Sequence, residues 1–180
     1  EIIKIDRNTG EVIWFFGGPN NQFTIANDTY NGFSRQHDVK RLENGNLLLF
    51  DNGNDHEPAI SRALEYELNE EEMIANLVWE FSHPEEYIGL AMGSVQRLPN
   101  NNTLINWGRL QEEIGVITEV DQYNNIVLEI KYSDPIYCYR VTKNNWQFDT
   151  NMIIGDGTIA RNSPCWCGSG KKYKSRSSYS

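Results

Sequence analysis

The sequence predicts an all-β fold built from four-stranded antiparallel units, and three observations carry that reading. A hairpin recurs: HDVKRLENGNLLLFDNG at 37–53 aligns with GSVQRLPNNNTLINWGR at 93–109, an offset of 56 residues. A second type of hairpin occurs three times, as IIKIDRNTGEVIWFF (2–16), ALEYELNEEEMIANLVWEF (63–81) and VITEVDQYNNIVLEIKY (116–132), with Trp14, Trp79 and Leu128 in corresponding places. Turn residues then fall where the hairpins need them, at Asn8-Thr9-Gly10, Asn44-Gly45 and Asn100-Asn101. Asn and Gly tolerate the positive backbone angles of tight hairpins.

The two hairpins alternate with a period of roughly 55 residues, in the range that marks solenoids and propellers. Each pair of hairpins makes one four-stranded blade, so the expected fold is a partial β-propeller of about two and a half blades. In chain order, residues 2–16 form the outer half of one blade, 37–81 a complete blade and 93–132 a second. CYRVTK (138–143) supplies the first strand of another. Within the first complete blade, NEEEMIANLVWEF allows a competing local reading, a turn of helix from Glu70 to Ala75. Closed propellers take about four to eight blades, so the chain reads as part of a longer protein. The expected organisation is a propeller segment over 1–147, a linker over 148–160 and a flexible tail over 161–180.

Composition limits what such a fold does. An apolar share of 39% with 12% aromatics in 180 residues supports a globular core. No run approaches the roughly 18 to 20 apolar residues of a membrane-spanning helix, and EIIKIDRNTG lacks the features of a signal peptide. The formal net charge is -9, yet residues 160–180 carry Arg161, Lys171, Lys172, Lys174 and Arg176 without a single acid. The remainder is strongly acidic, which argues against nucleic acid as a partner, because phosphate contacts need Lys and Arg. Three cysteines, Cys138 alone and the pair Cys165 and Cys167, suggest no disulfide framework.

Candidate chemistry gathers in FSRQHDVKRLENGNLLLFDNGN (33–54). Pairing around Asn44-Gly45 brings His37, at the start of one strand, beside Asp51-Asn52-Gly53-Asn54 at the end of its partner. A rim histidine with a satisfied hydrogen bond is the plain alternative. Asp51 to Glu57 is rich in oxygen ligands, but it lacks the spacing of a calcium motif and sits where a turn is expected. His83 reads as a loop residue, and the repeated tryptophans read as core.

QHDVKRLENGNLLLFDNGN, followed by SRALEYEL, VWEF, GSVQRLPNNNTLINWG and TEVD, closely resembles the bacterial arylsulfotransferase family of propeller enzymes across about residues 1–147. The resemblance implies sulfuryl transfer from an aryl sulfate to a phenol without phosphoadenosine, through a histidine intermediate and with no required cofactor. It puts His37 in the place of the nucleophile. It also implies a periplasmic or extracellular setting. A sulfuryl group presents anionic oxygens that need positive charge or donors, for which Arg62 is the first candidate and Arg35 the second. Arg35, Asp51 and Asn52 are the candidate substrate contacts. A noncatalytic propeller that binds protein or glycan through its loops is the rival reading, since this fold hosts many functions.

The tail, ARNSPCWCGSGKKYKSRSSYS, resembles the SEC-C zinc-binding motif. That motif closes its four-ligand site with a second pair of Cys or His, but Ser175 and Arg176 occupy those positions here. Cys165 and Cys167 are left as the candidate metal ligands of an incomplete site, with His56, His83 and Cys138 as intramolecular candidates to complete it. No tight zinc is expected.

Overall fold

The computed structural model describes residues 1–111, 114–132 and 137–145. Among them it is all-β, with thirteen strands and no helix. β1 (Ile2–Ile5) and β2 (Val12–Phe16) form a two-stranded hairpin. β4 (His37–Arg41), β5 (Leu47–Asp51), β6 (Arg62–Asn69) and β7 (Ile74–Ser82) form an antiparallel meander, and β3 (Thr24–Ala26) adds to the outer edge of β7 in parallel. β9 (Ser94–Arg97), β10 (Thr103–Asn106), β12 (Gly115–Val120) and β13 (Ile126–Tyr132) repeat the meander, while β8 (Gly89–Ala91) and β11 (Arg109–Leu110) pair in a small sheet of their own.

The two expected four-stranded units are therefore present, and the short strands β3, β8 and β11 are additions that the repeat does not contain. One competing reading is set aside and one expectation is corrected. Residues 70–73 form a turn rather than helix. Asn69 Oδ1 accepts the backbone N–H groups of Glu71 and Glu72, and Met73 closes the turn at φ 53°. Residues 138–143 form no strand ladder. Side chains of the preceding sheet hold that segment instead.

β5, with the sequence LLLFD, is buried at all five positions. Side chains alternate across a strand, so a continuous apolar run needs cover on both faces. Leu48 and Phe50 pack with Ala63, Phe81, Val95, Ile105 and Trp107 in one core, and Leu47 and Leu49 pack with Trp14, Phe16, Phe23, Leu64 and Tyr66 in the other. The first four-stranded sheet is thus sandwiched between its neighbours along the chain.

Four contacts between successive sheets recur in the same relation. Asp38 on β4 accepts the backbone N–H of Val95 on β9, and Ser94 on β9 accepts the backbone N–H of Val141. Buried Glu65 is held by the turn residue Asn46 and by Arg97, and buried Glu119 by the turn residue Asn102 and by Lys143. Residues 141–143 therefore stand to the second sheet as β9 stands to the first. Contacts divide the chain into a unit of residues 1–143 and another of 144–180.

Candidate active site

His37 opens β4, the edge strand of its sheet. The backbone around it is irregular on both sides, with Arg35 at φ 56° and Asp38 at φ 57°, and the register slips between His37 and Lys40. Such a bulge re-aims a side chain at the end of a strand. The turn at Arg35 delivers its carbonyl to His37 Nδ1 at 3.0 Å, and Asn52, one residue beyond β5, brings Oδ1 to the same nitrogen at 2.7 Å.

Both oxygens are acceptors, so Nδ1 carries the proton in the neutral ring. Asn52 cannot be read the other way round, because its Nδ2 donates to the carbonyls of Gly89 at 2.8 Å and Met92 at 3.1 Å. His37 Nε2 has no partner among the described residues. The ring is half-buried, and among the described residues the Nε2 lone pair is its one uncommitted polar function.

Asp51 and Asn52 are neighbours but face opposite ways, as the two-residue period requires. Asp51 turns inward, where it accepts from the backbone N–H of Ser34, from His56 Nε2 and from Arg62. Burial pushes its carboxyl up from the usual range against the pull of those donors. Arg62 is 1% exposed. Its guanidinium donates five hydrogen bonds, to Asp51 twice, Asp28, Glu80 and the Gly32 carbonyl. A guanidinium has five N–H donors in all, so none remains for a sulfuryl oxygen. Arg62 is a buried cation with every N–H engaged by the protein, an arrangement that argues against the stabilising role the sequence suggested for it.

Tyr66 donates to Asp28 from the opposite side, and Tyr30 lies under the Arg62 guanidinium at 4.7 Å. Burial opposes ionisation of Asp28, but the Tyr66 hydroxyl and Arg62 outweigh it and hold the carboxyl below its usual range.

Arg35 is placed differently. Its side chain is exposed and paired with Asp55 at 2.8 Å, and that carboxylate raises its pKa further. It leaves the loop that presents His37, with its guanidinium in solvent. The oxygen-rich run 51–57 spends its groups on protein donors: Asp51 on Arg62, Asn52 on His37 and Asp55 on Arg35. Among the described residues no group of three or more His, Cys, Asp or Glu is arranged to hold a metal.

The structure therefore brings His37 and Asn52 together, keeps Arg35 nearby along the chain and separates Asp51 and Arg62 from them in the core. Sequence reasoning missed Gly89, Met92 and Ser61. Ser61 Oγ donates to the Asn52 carbonyl at 2.7 Å and accepts from Gly89 N–H at 2.8 Å. Ser61 stands beside Arg62 in the motif that carried the resemblance, but nothing in EEYIGLAMG signals Gly89 or Met92.

Cys165 and Cys167 lie outside the described residues, as do the linker and tail. Of the residues proposed to complete a zinc site, His56 is bonded to Asp51, His83 to Glu129 and Cys138 to the Arg140 carbonyl. Two thiolates do not fit a structural zinc, which takes four ligands.

The family model described as Arylsulfotransferase (ASST) matches residues 1–133, and the SEC-C motif model matches residues 161–175. No curated protein matches the chain.

Proposed function

The chain belongs to the arylsulfotransferase family, and we propose that His37 is its sulfuryl acceptor in transfer from an aryl sulfate to a phenol. The observation that carries this reading is the double engagement of Nδ1 by Arg35 and Asn52, which leaves the Nε2 lone pair unpartnered among the described residues. Neutral imidazole is a competent nucleophile near pH 7.

In the first displacement Nε2 attacks sulfur, and the sulfur–oxygen bond to the aryl group breaks with its electron pair leaving as phenolate. In the second, the acceptor oxygen attacks sulfur, the sulfur–nitrogen bond breaks and its electron pair returns to Nε2. The acceptor's proton passes to solvent, which protonates the released phenolate.

The ring is cationic while it holds the sulfuryl group, so the Nδ1–H bonds to the two carbonyl oxygens strengthen as charge develops. Interactions that strengthen in that way are the ones that accelerate a step. With Arg62 spent inside the fold, Arg35 is the remaining arginine candidate for the sulfuryl oxygens. An exposed side chain in a salt bridge is a weak clamp, so slow turnover is expected of this chain. Family membership also favours a periplasmic or extracellular setting and enclosure of the sheets in a propeller, for which the repeated bonds between successive sheets are local support.

The test is single-turnover exposure to a nitrophenyl sulfate, reading nitrophenol release together with the mass of intact protein and its peptides. One sulfuryl group on His37, absent from His37→Asn, is the expected result. A sulfuryl group on another residue, or undiminished nitrophenol release by the variant, overturns the assignment.

A further inference from the structure

Asn52 is fully buried, and its side-chain amide and backbone carbonyl are all engaged. Nδ2 donates both protons, to the Gly89 and Met92 carbonyls, and Oδ1 accepts from His37. Its backbone carbonyl accepts from Ser61 Oγ, which in turn accepts from Gly89 N–H. Asn52 and Gly89 are thus clasped twice, once through the side-chain amide and once through Ser61. Substrate contact, the role the sequence suggested for Asn52, finds no unused donor there.

We propose that Asn52 is a positioning residue for sulfuryl transfer: anchored on Gly89 and Met92, it fixes the neutral His37 ring as the Nδ1–H tautomer and aims the Nε2 lone pair at the substrate. This rests on His37 as the sulfuryl acceptor. The identity of the protonated ring nitrogen is set by the hydrogen bond made at the other, and such supporting partners are worth about 10- to 100-fold where they orient histidines at metal sites. The anchor lies 37 and 40 residues further along the chain. The nucleophile is therefore oriented from the connection that leads into the second four-stranded sheet.

Long-range proton–nitrogen correlation spectra of the full chain, labelled with nitrogen-15, report the tautomer directly. Wild-type His37 in its neutral form is expected to carry its proton on Nδ1. Asn52→Leu, which removes the shorter of the two acceptors at Nδ1 and leaves the Arg35 carbonyl, shifts the ring towards the Nε2–H form and slows sulfuryl loading of His37 by about tenfold or more, with the half-saturating donor concentration unchanged. Asn52→Asp keeps an acceptor, so the proton stays on Nδ1 where the ring is neutral, but a carboxylate favours the protonated ring and cannot donate to Gly89 and Met92, so the loading rate near pH 7 is not restored. A role in packing alone moves neither the tautomer nor the split between rate and donor affinity.

A folded Asn52→Leu protein with unchanged tautomer and loading rate overturns the inference. Should that variant fail to fold, the wild-type spectrum decides: an Nε2–H ring overturns the inference even if His37 takes up sulfuryl. An Nδ1–H ring on a protein that never loads His37 instead overturns the acceptor assignment, and with it the catalytic meaning of Asn52.

Discussion

Arg62→Met tests the buried ion cluster. The guanidinium is 1% exposed and the side chains of its partners Asp28 and Asp51 are fully buried. Methionine roughly fills the aliphatic volume but leaves two carboxylates without their cation, and breaking a buried pair from one side costs about 3–5 kcal/mol. With a urea slope of about 2 kcal/mol/M, that loss lowers the unfolding midpoint by about 1.5–2.5 M.

Acid supplies a second reading. In the wild type, Asp28 is held below the ordinary Asp value of 3.8, so its contribution is present above that value and is lost as pH falls through the folded one. Asp51 is pushed the other way by burial, so its ionisation costs stability as pH rises through its folded value. In the variant both carboxyls lose Arg62 and both titrate upward. Protonation then relieves the variant, so the gap narrows from neutral pH towards about 4, and below the ordinary Asp value the wild type's loss of the Asp28 contribution closes it further. Tryptophan fluorescence across urea series at several pH values measures it. A loss under about 1 kcal/mol at neutral pH, or a gap that widens on acidification, refutes the argument. Arg62→Lys keeps the charge but has three donors in place of five and falls between the two.

Gly53→Ala tests the loop that follows Asn52. Gly53 sits at φ 62°, and a Cβ there would lie 1.6 Å from the Ile60 carbonyl oxygen. The left-handed conformation alone costs a non-glycine residue about 1–2 kcal/mol, and the clash adds to it, so a thermal midpoint equal to wild type would show that the loop opens freely. For the tail, metal analysis after dialysis against a mild chelator is expected to find well under one zinc per chain, because Cys165 and Cys167 are half of a four-ligand set. One retained zinc per chain would require further ligands from elsewhere in the chain or from a second chain.

The hairpins were legible because their signals are local. Alternating apolar residues and an Asn-Gly turn determine which residues pair over a span of about fifteen positions, and His37 does pair with Phe50, one residue short of Asp51. That proximity brings Asn52 to His37. The short strand β3 was not legible, since Thr24-Ile25-Ala26 has too few residues to show a period and pairs in parallel with β7, 50 residues away. Nor was the fate of Arg62. A motif places an arginine beside a functional strand, but whether it faces the substrate or the core depends on Asp28, 34 residues earlier in a stretch without periodicity.

Asp51 and Asn52 show why the candidate site and the core meet at this corner. One step along the chain reverses the direction of the side chain, so consecutive residues at the end of β5 serve opposite sides. An acidic side chain faces the interior, where it requires Arg62 to be tolerated at all. The neutral amide faces His37, where a carboxylate would instead favour the protonated, non-nucleophilic ring. Exchanging the two is therefore expected to damage both functions at once: an amide at 51 removes a negative charge that pairs with Arg62, and a carboxylate at 52 cannot donate to Gly89 and Met92. The order Asp-Asn, read in the sequence as turn chemistry and as candidate substrate contacts, is the order that the burial of one side and the chemistry proposed for the other demand.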